Sequence, residues 1–342
     1  MTLEEFLDTW HSPSETLLVH TSGSTGTPKP MLVEKRRMLN SAKITCDFLG
    51  LKPGDAALLC MSLDYIAGKM MVVRSIERSL KLISVKPSGH PLSAESLKNA
   101  NDAAWKQGIT FAAMVPMQVY NTLQVPEERE RLTHIKHLII GGGAIDSALE
   151  AELRSLSGDI AIWSTYGMTE TLSHIALRRI NGKEASEWYQ PFDSVKVSQT
   201  EEGCLVIDAP LVCKQPLVTN DIVEIQPYIY NKVCAEGVRF RIKGRKDNVI
   251  CSGGIKIQIE EVENLLKPHL QKPFMLAKKK DEKFGEIAVL LTEDGNLKKV
   301  EATVRRLLSD NSKKYWIPRE YIHVESLPLT ETGKPKRACL LR

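Results

Sequence analysis

HTSGSTGTPKP, from His20 to Pro30, packs two glycines, five hydroxyl side chains and one lysine into eleven residues. Glycine lets a backbone bend so that successive amide N–H groups face one anion, and the hydroxyls of Thr21, Ser22, Ser24, Thr25 and Thr27 add donors. Lys29 adds a full positive charge, so the stretch is suited to a phosphate. Thr16-Leu17-Leu18-Val19 just before it is apolar with a β-branched end. The loop is therefore expected to leave a buried strand at the carboxyl edge of an α/β sheet, where such proteins bind ligands. Two familiar phosphate loops are excluded: Lys29 stands between Pro28 and Pro30 instead of before Ser or Thr, and G-x-G-x-x-G is absent. The alternative is a flexible Ser/Gly linker, which needs neither a strand in front nor a lysine behind.

The chain of 342 residues is 42% hydrophobic, enough for a large core and for two domains. Its 46 basic and 42 acidic residues leave a net charge of +4, too balanced to indicate nucleic acid or an anionic membrane. Small anionic ligands fit, and a homo-oligomer stays open. Seven cysteines without a C-x-x-C pair indicate neither zinc nor a disulfide framework and suit a reducing cytoplasm. The start, MTLEEFLDTW, has neither a basic nor an apolar leader region, and no run reaches the ~18 apolar residues of a membrane span.

Around the loop the pattern alternates strands and helices, which implies a largely parallel sheet. Residues 1 to 15 offer a short amphipathic helix carrying Leu3, Phe6, Leu7 and Trp10, and Lys35 to Leu49 a helix ended by Gly50. Ala56 to Met61 is a buried strand. A loop from Asp64 leads into a helix with Lys69 and Arg74, cations that by type are more often solvated than ligands. Ser93 to Gln107 is helical in pattern, Thr110 to Val115 a strand and Met117 to Leu123 a helix. His137 to Ile140 is a strand opening into Gly141-Gly142-Gly143-Ala144 and a helix capped by Asp146. Three glycines let a flat ring approach the backbone; the alternative is an ordinary tight turn.

The strand from Ile160 to Trp163 ends in Ser164-Thr165-Tyr166-Gly167-Met168-Thr169-Glu170-Thr171. An aromatic, a glycine, a hydroxyl and a carboxylate there suit a nucleotide through stacking, close approach, phosphate contact and a Mg2+ ligand; alone they equally describe a capped helix start. From Val195 to Ile225 short strands and turns follow, with Asp221 able to bind a ribose diol or to cap a turn. The pattern resets after FRIKGRKDN, residues 240 to 248. Val249 to Cys251, the turn Ser252-Gly253-Gly254, a helix from Gln258 to Leu266, a strand from Glu286 to Leu291 and a helix from Lys299 to Leu308 suffice for an α+β domain. AKKKDEK, Ala277 to Lys283, reads as a solvated loop.

Together these motifs resemble the adenylate-forming family of acyl-CoA ligases, adenylation domains and luciferases. HTSGSTGTPKP is similar to its phosphate loop, GGGA to its adenine-contacting turn and STYGMTE to its nucleotide motif. TND, FRIKGRKDN, CSGGIKIQIEEVE and PLTETGKPKR are similar to its later motifs, in the family's order from residue 20 to 337. Within the family, HTSGSTGTPK, ITFAAMVPMQ and TYGMTETLSHIAL are most similar to o-succinylbenzoate:CoA ligases of menaquinone biosynthesis. Two departures stand out: only residues 1 to 19 precede the phosphate loop, and the loop between Ala277 and Gly285 lacks the family's proline-aspartate pattern.

The resemblance implies a large layered α/β domain, residues 1–246, shortened at its amino-terminal end, and a small mobile α+β domain, residues 247–342. It implies an AMP-forming ligase that joins a carboxylic acid to coenzyme A at the expense of ATP and Mg2+. Thr21, Ser22, Gly23, Ser24, Thr25, Gly26 and Lys29 would hold phosphates, and Gly142, Gly143 and Ala144 would border adenine. Thr165, Tyr166, Gly167 and Met168 would line the nucleotide, with Tyr166 stacked on the base. Thr169 would touch the α-phosphate, Glu170 would bind Mg2+, and Asp221 and Arg245 would hold the ribose. Lys334 would be the catalytic cation, Asp247 the hinge, and Gly253 and Gly254 would approach the pantetheine arm. Lys69 and Arg74 border the acyl pocket by this resemblance, and a guanidinium suits a second, planar carboxylate on the substrate.

Overall fold

α1 (Leu3–His11) opens the computed structural model, which describes residues 1–20, 30–101, 103–156, 158–229, 236–309, 313–329, 335 and 337. The phosphate-loop residues 21–29 and Lys334 lie outside the described residues. A capping box starts α1, Thr2 and Glu5 exchanging side-chain to backbone bonds, and Phe6 and Trp10 are buried. β1 (Thr16–His20) and β2 (Pro30–Glu34) then form a separate two-stranded antiparallel ribbon. This corrects the expectation of a strand in the main sheet: Leu17 and Val19 face inward while Leu18 is exposed, the alternation of a one-sided antiparallel pair.

α2 (Lys35–Leu49) ends on Gly50 in the left-handed region. β3 (Ala56–Leu59), α3 (Ile66–Arg78), β4 (Lys81–Ser84), α4 (Ala94–Lys98), β5 (Phe111–Met114), α5 (Pro116–Leu123), α6 (Pro126–Thr133), β6 (His137–Ile140) and α7 (Ser147–Ser155) follow. β7 (Ala161–Gly167), β8 (His174–Arg179) and β9 (Gln190–Pro191) complete a seven-stranded sheet of order β4-β3-β5-β6-β7-β8-β9. Pairing is parallel from β4 to β7 and antiparallel from β7 to β9. Leu58, Ala112, Met114, Leu138, Ile140 and Ile162 of its strands pack against Leu97, Val119, Leu132, Leu149 and Leu153 of its helices. The expected helix from Ser93 to Gln107 is broken into α4 and a 3₁₀ turn at Ala103–Gln107. Asn101 lies between them, its side chain accepting from Ser84 N and donating to Leu82 O of β4, which competes with helix formation.

β10 (Lys196–Gln199), β11 (Cys204–Asp208), β12 (Leu217–Ile229) and β13 (Glu236–Arg245) pair in chain order. β14 (Val249–Ser252), β15 (Ile255–Gln258), α8 (Ile259–Leu266), β16 (Phe274–Asp281), β17 (Gly285–Thr292), α9 (Leu297–Leu308) and β18 (Glu320–His323) form an α+β layer. Its sheet runs β15-β14-β17-β16, with β18 parallel to β17, over a core of Ile250, Ile257, Val262, Leu266, Leu290, Val300 and Leu308. Ala277 to Asp281 belong to β16, correcting the solvated-loop reading: Ala277 is fully buried and Lys279 pairs with Glu320 at 2.8 Å. A strand tolerates such a run because its ammonium groups reach water while the alternate face packs.

The chain divides into two compact units, one of Met1–Val197, Ile207–Leu217 and Gln226–Phe240, the other of Ser198–Val206, Val218–Ile225 and Arg241–Arg342. The fold is thus mixed α/β with a larger amino-terminal and a smaller carboxyl-terminal part. Among the described residues no helix is long and apolar enough to cross a membrane.

Candidate active site

The carboxyl ends of β6 and β7 carry the candidate nucleotide residues of the larger unit. Gly142 follows β6 at φ +82, a conformation that favours glycine, with Gly143 and Ala144 completing the turn. A side chain on Gly141 would run into Thr165 Oγ1, so this first glycine of the GGGA turn brings turn and strand together. Asp146 caps α7, its carboxylate accepting from Ala148 N at 2.7 Å. Thr165 and Met168 are half-buried. Tyr166 is 6% exposed, edge-on to Phe240 at 5.1 Å between ring centroids and tilted against Tyr189 at 5.9 Å. The ring expected to stack on a base is thus packed largely against protein rings.

Ser164 to Gly167 continue β7 as strand instead of ending it, since β8 returns antiparallel beside them with a register shift at Tyr166 and Gly167. Gly167 lies against the backbone of Ser173 and His174 with no room for a Cβ. Thr169 is buried at the start of a 3₁₀ turn, Thr169–Thr171, and Glu170 beside it is exposed. The Glu170 carboxylate makes no ion pair among the described residues, and no three His, Cys, Asp or Glu there cluster as a metal site. An exposed carboxylate fits Mg2+ carried mainly by nucleotide phosphates.

Lys69 and Arg74, expected on a solvated helix face unless they bind a ligand, are both buried, at 3% and 2% exposure. Lys69 Nζ donates to the carbonyls of Leu63 at 2.5 Å and Asp64 at 3.3 Å. Burial pulls its pKa down against the opposing charge of Asp64. Arg74 donates to Ser173 Oγ at 2.5 Å and approaches Met71 Sδ at 3.8 Å, while its Nε has no partner among the described residues. Burial lowers this guanidinium to about 10, so it stays charged at neutral pH. Sequence reading missed what it meets: Ser173 Oγ lies 3.2 Å from His174 Nδ1, and His174 Nε2 lies 3.0 Å from Thr45 Oγ1. The one available signal was His174 heading the apolar strand of SHIAL.

In the carboxyl-terminal unit Arg245, Asp221 and Asp247 are brought together. Arg245 Nη1 donates to Asp221 at 3.1 Å, and its Nε and Nη2 clasp both oxygens of Asp247 at 2.9 and 3.0 Å. The hydrogen bonds it donates to Asp247 raise the pKa of Arg245. Burial pushes Asp247 up most strongly, but its hydrogen bonds and attraction to Arg245, with smaller help from a backbone hydrogen bond and Lys278, together leave the carboxyl below its ordinary value. Gly253 at φ +56 and Gly254 at φ +84 form the tight turn between β14 and β15.

The sequence pattern of AMP-binding enzymes matches residues 8–208. A solved structure of an acyl-CoA synthetase (AMP-forming)/AMP-acid ligase II-like protein from Dyadobacter fermentans is similar at 32% identity and a TM-score of 0.61, over 97% of this chain and 91% of that one. A 2-succinylbenzoate--CoA ligase of Bacillus cereus is 23% identical over 338 residues, 93% of this chain and 67% of that protein. A plipastatin synthase polypeptide of Bacillus subtilis is 25% identical over 362 aligned positions, 94% of this chain and 13% of that protein. With the pattern matched over more than half of its length and the nucleotide motifs at the strand ends of its main sheet, the chain belongs to the family of AMP-binding, adenylate-forming enzymes.

Proposed function

We propose that this protein is an ATP-dependent acyl-CoA ligase acting on o-succinylbenzoate. A carboxylate oxygen of the acid attacks the α-phosphorus of ATP and pyrophosphate leaves. The thiol of coenzyme A then attacks the acyl carbon, its proton passing to solvent, and the bond to AMP breaks. Neither step needs a covalent enzyme intermediate, so the work is positioning and charge stabilisation. Thr21 to Lys29 and Thr169 hold phosphate oxygens, the GGGA turn and Tyr166 border the base, and Asp221 and Arg245 hold the ribose. Lys334 neutralises charge developing in adenylation, and Gly253 and Gly254 admit the pantetheine arm. Mg2+, held through Glu170, supplies charge neutralisation at the phosphates when bound.

The observation that carries the choice of acid is Arg74, a charged, buried guanidinium whose Nε has no partner among the described residues. An uncompensated buried charge is costly, and a ligand carboxylate would offset it. o-Succinylbenzoate offers one carboxylate for activation and another on its ring. Arg74→Ala is expected to reduce kcat/KM for this acid by about 2–4 kcal/mol while ATP binding barely changes, with Lys69→Ala second in effect. Rates of pyrophosphate release across a panel of acids test this. A preference of the parent for an acid without a second carboxylate, or both variants staying within a few-fold of it, sinks the assignment. A second reading, transfer of the acyl group to a carrier protein, has the likeness to plipastatin synthase in its favour. Acyl-CoA formation with free coenzyme A separates the two.

A further inference from the structure

Around Arg74 one set of hydrogen-bond directions satisfies every partner at once. Thr45 of α2 spends its one hydroxyl proton on the carbonyl of Ser41, at 3.1 Å, so toward His174 it can only accept. In that set Nε2 of His174 carries the ring proton and Nδ1 is bare. The bare Nδ1 takes the hydroxyl proton of Ser173, which leaves the lone pairs of Ser173 for Arg74 Nη2. Three elements supply the chain: α2 gives Thr45, α3 gives Arg74, and the start of β8 gives His174 with Ser173 just before it. Leu172, at φ +65, turns the backbone into this position.

All of these partners are neutral. A carboxylate in the place of Ser173 would hold the guanidinium as firmly but would cancel its charge. The arrangement found here holds Nη2 of Arg74, and Nη1 weakly through Met71 Sδ, while its charge and Nε have no answering group among the described residues. We propose that Thr45, Ser173 and His174 are positioning residues, a neutral clamp that presents Arg74 to the second carboxylate of an aromatic dicarboxylic acid and so determines selectivity for diacids over monoacids; this rests on the reading of Arg74 as the receptor of that carboxylate. The clamp acts on binding of the acid and touches neither ATP nor the carboxylate being activated.

Steady-state rates of pyrophosphate release test the clamp with o-succinylbenzoate and with 4-oxo-4-phenylbutanoate, the same acid without its ring carboxylate. Thr45→Val and His174→Ala are expected to raise KM for the diacid by about 10- to 100-fold, with little change in kcat, in KM for ATP or in kcat/KM for the monoacid. His174→Asn, whose side-chain oxygen can still accept from Ser173, is expected to recover much of the loss. Should His174→Ala fail to fold, Ser173→Ala at the half-buried link carries the same expectation. If Arg74→Ala abolishes the preference for the diacid while the Thr45, Ser173 and His174 variants keep it, the clamp is overturned and the substrate assignment stands. If Arg74→Ala itself keeps the preference, or the parent has none, the substrate assignment falls and takes the clamp with it.

Discussion

His174, 7% exposed, sits beside the Arg74 guanidinium, and burial first and that charge second push its pKa well below the ordinary 6.5. The folded protein therefore keeps it neutral at a pH where the unfolded chain protonates it. Stability from this group is complete above the unfolded value and is lost as pH falls below it, since the unfolded state then binds the extra proton. Below pH 6.5, and above the folded pKa, the loss approaches about 1.4 kcal/mol per pH unit. His174→Gln is expected to flatten the acid limb of stability by that slope, as read from urea midpoints between pH 7 and 5. An unchanged limb would show that His174 is protonated in the folded protein. Neither His174 nor its partners could be picked out along the chain, because Ser173 meets an arginine 99 residues away.

Elements formed where local chemistry demanded them: Gly50 ends α2, Asp146 caps α7, and Gly253 and Gly254 turn β14 into β15. They departed where a distant partner intervened. Asn101 breaks a helical pattern by bonding β4, and the lysines of β16 lie in a strand because β17 pairs with it along its whole length. The β7–β8 pairing makes a prediction at this scale. The Gly167 backbone meets Ser173 and His174 so closely that a methyl group must displace a strand, which would loosen both the nucleotide motif and the clamp. Gly167→Ala is expected to destabilise by about 1–3 kcal/mol in urea unfolding and to raise KM for ATP and for the acid together. A midpoint equal to the parent's would mean the two strands separate at no cost.

On the scale of the whole molecule we propose that the two half-reactions share one set of residues, with Asp247 as the point of rotation between them. It is clasped by Arg245, which also holds Asp221, so a change at this residue alters the fork that pins the start of the carboxyl-terminal α+β layer. Proline fixes φ, so Asp247→Pro is expected to slow thioester formation more than pyrophosphate release, measured as single turnovers of each step. Equal slowing of both would remove Asp247 as the hinge. The sequence by itself determined the family and the alternation of strands and helices, because motifs such as GGGA and STYGMTE depend on backbone freedom and side-chain chemistry within a few residues. It also placed Asp221, Arg245 and Asp247 among its candidates. Only the tertiary structure decided that Arg245 joins the two carboxylates, that β1 stands apart from the main sheet, and that Lys69 and Arg74 are buried. Burial and pairing are properties of segments far apart in the chain: a cation on a helix is solvated or enclosed according to what packs over it, and nothing in its neighbours along the chain carries that information.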